Sequence, residues 1–452
     1  MRQNAANLVN IQYGFLRRRS LDFGVSSVGH SDLIRRNDYT VPLRARRLRR
    51  PFWKGFMTRK SRFIKTRSPA PTSEMTSRLR YFVERKNEIS ETIRQLVDIE
   101  SPSDNKQAVD RLGSMLAGRF EGLGGHAKFH RAKDYGNHLQ VDFQGQSGKK
   151  PVLLLGHLDT VYPLGTLAEM PCRAANGRLY GPGTLDMKSG IALILHAIAA
   201  LRTWHNDRMP RPVTVLLVSD EEIGSSSSRS ITESLARNSA AVLVLEPSYG
   251  LHGALKTARK GVGEYTLRVT GRAAHAGLDP EKGQSAIVEL AKQILQISRL
   301  SLMRDMNVNV GVVQGGTRTN VIPAEATALL DVRVARMRDA TVIDRKLRSL
   351  KPFNPKCRLD WTGGANRPPL ERNKGVAMLF TKASGIANQL GCKLEEASVG
   401  GGSDGNFTAA LGIPTLDGLG GVGEGAHAKN EAIVISELPR RAALLAGLIE
   451  TV

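Results

Sequence analysis

The chain has 452 residues, 41% of them apolar, with 45 glycines and a net charge of +23. That length exceeds one ordinary core, so two domains are expected, and the composition is that of a soluble α/β protein. No apolar run approaches the roughly 18 unbroken residues of a membrane span. Three cysteines (Cys172, Cys357, Cys392) without CxxC spacing argue against a disulfide framework and against thiolate zinc ligands.

The charge is unevenly placed. Residues 1–70 hold 17 Lys or Arg against 3 Asp, so the rest of the chain is only mildly basic. This arm, taken as 1–74, contains FLRRRS at 15–20 and RARRLRRPFWK at 44–54. It is expected to be disordered: a solvated tail, or a stretch ahead of a true start at Met75. Binding to nucleic acid or to an anionic membrane is the lesser reading of such a tail, and nucleic acid is not expected as a partner. The arm lacks the apolar core of a secretory signal peptide, which points to a cytoplasmic protein.

From about residue 76 the pattern SRLRYFVERKNEISETIRQLVDI is helical, and a second helix is predicted near 105–122, ending at Gly-rich 122–125. PVLLLGH (151–157), VTVLLVSDEE (213–222) and AVLVLEP (241–247) read as buried strands. SGIALILHAIAALRTW (189–204) reads as an apolar helix. Their alternation predicts an α/β fold, a mostly parallel sheet with helices on both faces. After Lys260 the rhythm changes. Strands at 262–271, 307–316, 324–334 and 357–363, with helices at 285–300 and 339–350, give the order β-α-β-β-α-β. An α+β lid is therefore expected at 258–368, inserted between two parts of a catalytic domain, 75–257 and 369–452.

Chemistry-bearing residues gather at the predicted strand ends, where open α/β sheets bind ligands. His157, Asp186, Glu222, Glu246 and His427 form a nitrogen and oxygen set sized for two zinc ions, with cobalt or manganese also suited. Singly, each has a bland reading: Asp186 a helix cap, DEE at 220–222 a solvated patch, His427 a surface histidine. Together, a carboxylate such as Asp186 can bridge two ions, and Asp159 is placed to orient His157 from behind. Glu221, beside a ligand, is left to take a proton from a metal-held water and pass it to a leaving amine.

The motifs GHLDTV, YGPGTLDMKSG, DEEIGS, LEP, GRAAHAG, TNVIP and GGGSDG make residues 76–452 resemble the zinc-dependent aminoacylase and carboxypeptidase family, which includes glutamate carboxypeptidases, acetylornithine deacetylase and succinyl-diaminopimelate desuccinylase. The resemblance implies His157 and Glu246 on one zinc, Glu222 and His427 on the other, and Asp186 between them, followed by a cis peptide. It implies a lid that also dimerises, with His275 polarising the scissile carbonyl, often in the partner's site. It further implies Asn320, Arg333, Gly401 and Gly402 against substrate. At the position where glutamate-specific relatives carry a lysine, Ala254 stands, with Lys256, Arg259 and Lys260 nearby. The expected activity is a dizinc carboxypeptidase releasing glutamate or a similar residue from a small peptide. The alternatives are an N-acyl-amino-acid deacylase and a non-catalytic, metal-dependent peptide binder.

Overall fold

The computed structural model describes residues 73–146, 148–302 and 305–452. The basic arm, with every expectation placed on it up to residue 72, lies outside the described residues.

The first helical stretch differs from expectation. It is two helices, Ser73–Glu84 and Lys86–Val97, broken at Arg85. The Arg85 guanidinium stacks on the Tyr81 ring and donates to the Tyr81 carbonyl at 3.2 Å. That carbonyl is the acceptor an unbroken helix would give to the Arg85 backbone N–H.

Among the described residues the central sheet has six strands, in the order His126–His130, His138–Phe143, Val213–Val218, Val152–His157, Ala241–Val244, Thr415–Leu416. The last four run parallel and the first two antiparallel. Side chains alternate across the sheet, so unbroken apolar runs serve two cores. Leu154, Val215, Leu217 and Leu243 pack with helices Lys106–Gly122, Ser189–Trp204 and Leu438–Thr451. Leu153, Leu155, Leu216, Val218 and Val244 pack on the other face with helix Arg229–Arg237. Each such Leu or Val contributes about 1.5–3 kcal/mol. Helix Ser189–Trp204 is apolar because it is enclosed: with the turn before it, the segment is apolar enough to cross a membrane but lies 83% buried in this core.

A second, separate sheet occupies the segment expected as the lid, and that name is kept for it below. Its four antiparallel strands stand in the order Met306–Gly315, Glu325–Val334, Gly261–Thr270, Arg358–Arg367. Helices Ala286–Ser298 and Met337–Arg348 cover one face through Leu290, Ile343 and Leu347 against Leu267, Val269, Leu330 and Val332. The last strand runs four residues beyond the predicted end and carries Arg367 to the junction with the catalytic part.

A small sheet completes the frame. Strand Ala432–Val434 pairs with Arg178–Tyr180, Ala432 opposite Tyr180. This pairing aligns the loop through Asp186 with the loop through His427.

Candidate metal centre

Strand Val152–His157 ends at His157, and the strands Val213–Val218 and Ala241–Val244 lead directly to Glu221, Glu222 and Glu246. Parallel strands bring these ends to one edge. Helix Ser189–Trp204 comes close beneath: a Cβ on Gly190 would sit 2.1 Å from the Leu245 carbonyl oxygen, so only glycine fits. The turn before this helix carries Asp186, whose bond to Met187 is cis. His427 arrives on the far loop at φ +64, an uncommon conformer for a non-glycine residue.

Two matching gaps result. His157 Nε2 lies 3.2 Å from Asp186 Oδ1 and 3.5 Å from Glu246 Oε1. His427 Nε2 lies 3.4 Å from Asp186 Oδ2 and 3.2 Å from Glu222 Oε1. Atoms bound at ~2.1 Å around a tetrahedral ion stand about 3.4 Å apart. The two nitrogen and oxygen triads therefore fit an ion each, and Asp186 turns one oxygen to either side.

Without cations the cluster is electrostatically costly. Burial opposes charge on His157, but Asp159, Asp186 and Glu246 outweigh it and raise its pKa well above the usual range. Hydrogen bonds to Asp186 and Glu222 raise His427 to about 10. Burial also acts against Asp186, and the two histidines overcome it and lower its pKa. Burial pushes Glu222 up despite His427.

Glu221 also brings an oxygen close to His157 and Glu246. Its carboxylate is held by Arg367, however, with both terminal guanidinium nitrogens 3.1 Å from Oε1. That contact keeps the carboxylate beside the first gap. Burial raises its pKa well above the ordinary carboxylate range, against the pull of Arg367.

His157 Nδ1 donates to the carbonyl oxygen of Asp159 at 2.8 Å, with the Asp159 carboxylate at 3.5 Å. The orienting acceptor is thus the Asp159 backbone. Its carboxylate instead accepts from Ser103 Oγ at 2.7 Å and from the backbone N–H groups of Glu221 and Glu222. It holds the backbone of Glu221 and Glu222 together.

The lid residues stand apart from this cluster. His275 forms a bridge with Val321, and the Ala276 N–H donates to the Asn320 carbonyl at 3.0 Å, so His275 and Asn320 are neighbours. His275 Nδ1 accepts from the N–H groups of Gly277 and Leu278, which leaves Nε2–H as a donor. The Arg333 guanidinium grips Asp331 through Nε and Nη2. The hydrogen bonds of His275 run to Asp279, Gly277 and Leu278, and those of the Arg333 side chain to Asp331, all of them outside the metal-site cluster. The carbonyls of Gly401 and Gly402 accept from Arg259 at 3.3 and 2.8 Å.

Arg259, Arg367, Tyr162 and Glu431 were not singled out as site residues. Arg259 bonds Glu246 Oε2 at 2.9 Å and Asp417 Oδ1 at 2.9 Å, entirely inside the protein. Lys260 Nζ donates to Asn307. Lys256 and Ala254 are both buried. A basic run so close to Glu246 was the available signal, and the Arg259 guanidinium in it is taken up by the protein's own carboxylates.

The profile of peptidase family M20/M25/M40 matches residues 153–451. Carboxypeptidase G2 of Pseudomonas sp. (strain RS-16) is 32% identical over 368 residues, covering 80% of this chain and 88% of that protein. Succinyl-diaminopimelate desuccinylase of Dechloromonas aromatica is 28% identical over 314 residues, covering 65% of this chain and 81% of that protein. Among solved structures, a dinuclear metal-binding M20 peptidase from Bacillus subtilis superposes with a TM-score of 0.60 at 15% identity, covering 81% of this chain and 97% of that one. With two nitrogen and oxygen triads sharing one aspartate at the sheet edge and this match along most of the described chain, the protein belongs to peptidase family M20/M25/M40, a family of metal-dependent hydrolases.

Proposed function

We propose that the protein is a dizinc carboxypeptidase that releases a C-terminal amino acid, glutamate or a similar residue, from a small peptide. The observation that carries this is Asp186 standing between His157 and His427, one oxygen toward each. His157, Glu246 and Asp186 would hold one ion, and His427, Glu222 and Asp186 the other. Bound there, the pair supplies Lewis acidity and a water of lowered pKa.

The chain's own groups do the rest. Glu221, buried and held by Arg367, takes a proton from the attacking water and delivers it to the leaving amine nitrogen. His275 offers Nε2–H to the oxygen of the scissile carbonyl, where negative charge develops. Arg333 has Nη1 outside its grip on Asp331, and with Asn320 it receives the substrate's free carboxylate. Gly401 and Gly402, without side chains, let the backbone approach the substrate.

Likeness to carboxypeptidase G2 over 88% of its length supports the peptidase reading. Likeness to a desuccinylase supports the second one, an N-acyl-amino-acid deacylase on the same groups. The binder reading has less behind it, because the base and both triads are present. A homodimer through the lid, whose outer strand Met306–Gly315 exposes Val312 and Val313, belongs to the same proposal, as does a cytoplasmic location. The test is turnover of zinc-loaded protein on N-acyl and peptidyl substrates ending in glutamate, alanine or ornithine, with a chelator control. Chelator-sensitive release of C-terminal glutamate or alanine supports the carboxypeptidase. Release of acetate or succinate alone replaces it with the deacylase, and silence across the panel with the binder.

A further inference from the structure

Glu431 is wholly buried, and its carboxylate is saturated by donors from other loops. Oε1 accepts the backbone N–H of Leu185 at 2.7 Å and of Asp186 at 3.0 Å. Oε2 accepts the Tyr162 hydroxyl at 2.5 Å, and the same hydroxyl lies 3.1 Å from the Ala428 carbonyl. The Glu431 carbonyl also accepts the Gly181 N–H at 3.3 Å. One side chain thus joins three segments: the stretch after His157 through Tyr162, the turn that carries Asp186, and its own loop, which carries His427.

We propose that Glu431 and Tyr162 are positioning residues that set the spacing between Asp186 and His427, and so the affinity of the ion His427 would hold. The inference rests on the ligand set given above. His427 is half exposed, on the loop that follows the two-residue strand Gly423–Glu424. Asp186 Oδ2 must nonetheless stay opposite its Nε2. The brace fixes the Asp186 backbone from one end of the carboxylate and the Ala428 carbonyl, next to His427, through Tyr162 at the other. Of the groups that would hold the first ion, His157 is braced by the Asp159 carbonyl and Glu246 by Arg259, and only the shared Asp186 depends on Glu431. Loss of the Glu431 brace therefore acts unequally on the two sites.

The substitutions differ in what they leave. Glu431→Gln keeps an oxygen for the two amides, and its NH2 can donate to Tyr162 while the hydroxyl donates to Ala428. Glu431→Ala removes every acceptor. Tyr162→Phe removes one oxygen and leaves the packing. Metal-free full-length protein is titrated with Co2+, read by visible absorption and by calorimetry for each site. Outer hydrogen-bond partners of ligands are worth roughly 10–100-fold in metal affinity, so Glu431→Ala should weaken one site by about that factor and the other by less than about threefold. On the same scale Tyr162→Phe should weaken the same site by about 3–10-fold, and Glu431→Gln should stay within about threefold of the parent. A His427→Ala control identifies the site. Unchanged affinity in both Glu431→Ala and Tyr162→Phe, or equal weakening of both sites, overturns the brace. Should Glu431→Ala not fold, Tyr162→Phe decides alone. If His427→Ala keeps both sites intact, the ligand set is wrong and the brace falls with it. If His427→Ala loses one site while the brace variants change nothing, only the brace falls.

Discussion

Arg367 and Glu221 are joined twice: the guanidinium holds the Glu221 carboxylate at 3.1 Å and donates to the Glu221 carbonyl at 2.8 Å. Arg367 ends the lid's last strand, and opposite it stands Val262, at the start of the lid's first. Both crossings between lid and catalytic part therefore lie beside the proposed base. Arg367→Met should leave bound metal unchanged and lower kcat by about 10–100-fold, part of what a general base contributes, with KM within about threefold. In a Glu221→Gln background the same change should add less than about threefold, because coupled residues are not additive. Fully additive losses in steady-state kinetics would mean that Arg367 acts elsewhere.

What the chain reveals by itself depends on how local the signal is. VLLLGH and VTVLLVSDEE announce buried strands that break into polar ends, and a parallel sheet dictates that such ends meet. His157, Glu222 and Glu246 are readable for that reason. Arg259, Arg367 and Glu431 are not, because their meaning lies in partners 13, 146 and 245 residues away. Nothing in GANRPP marks its arginine as fully enclosed. The break at Arg85 was equally hidden: no glycine or proline stands there, only a side chain that takes a backbone acceptor.

Arg259 is the counter-charge for two buried carboxylates, Glu246 and Asp417, and it ties down Gly401 and Gly402. Arg259→Met strands both carboxylates. Breaking one side of a buried pair typically costs about 3–5 kcal/mol, and a loss of that order is expected in urea unfolding of the metal-free protein. Arg259→Lys keeps the charge without the planar fork and should fall between the two. A loss under about 1 kcal/mol for the methionine variant would show that the network relaxes around the gap.

His275 presents Nε2–H from a lid loop, and its own hydrogen bonds run to Gly277, Leu278 and Asp279. His275→Ala should keep the melting temperature and metal content while lowering turnover by about 100-fold, the scale of one lost oxyanion donor. Mixing it with Glu221→Gln provides the discriminating measurement. If each lid serves the partner's site, half the dimers become mixed and one of their two sites is whole, so roughly a quarter of parental activity returns. Mixed dimers that stay inactive would assign His275 to its own subunit.

His196 sits on helix Ser189–Trp204 with Nε2 3.0 Å from Thr92 Oγ1. Burial, aided by Arg119 and Arg85, lowers its pKa to about 4. An unfolded histidine titrates near 6.5, so between about 6.5 and 4 the unfolded chain binds the extra proton. Stability contributed by neutral His196 is complete above pH 6.5 and declines as pH falls toward 4. Screening at a partly exposed ring limits the loss to on the order of 2 kcal/mol. His196→Gln keeps a polar group near Thr92 and removes the titration. Urea unfolding of both proteins without metal at pH 7, 6 and 5 should show the parent losing stability faster than the variant as pH falls. Parallel curves would mean that the folded protein accommodates the protonated ring, and that the acid sensitivity belongs to other groups.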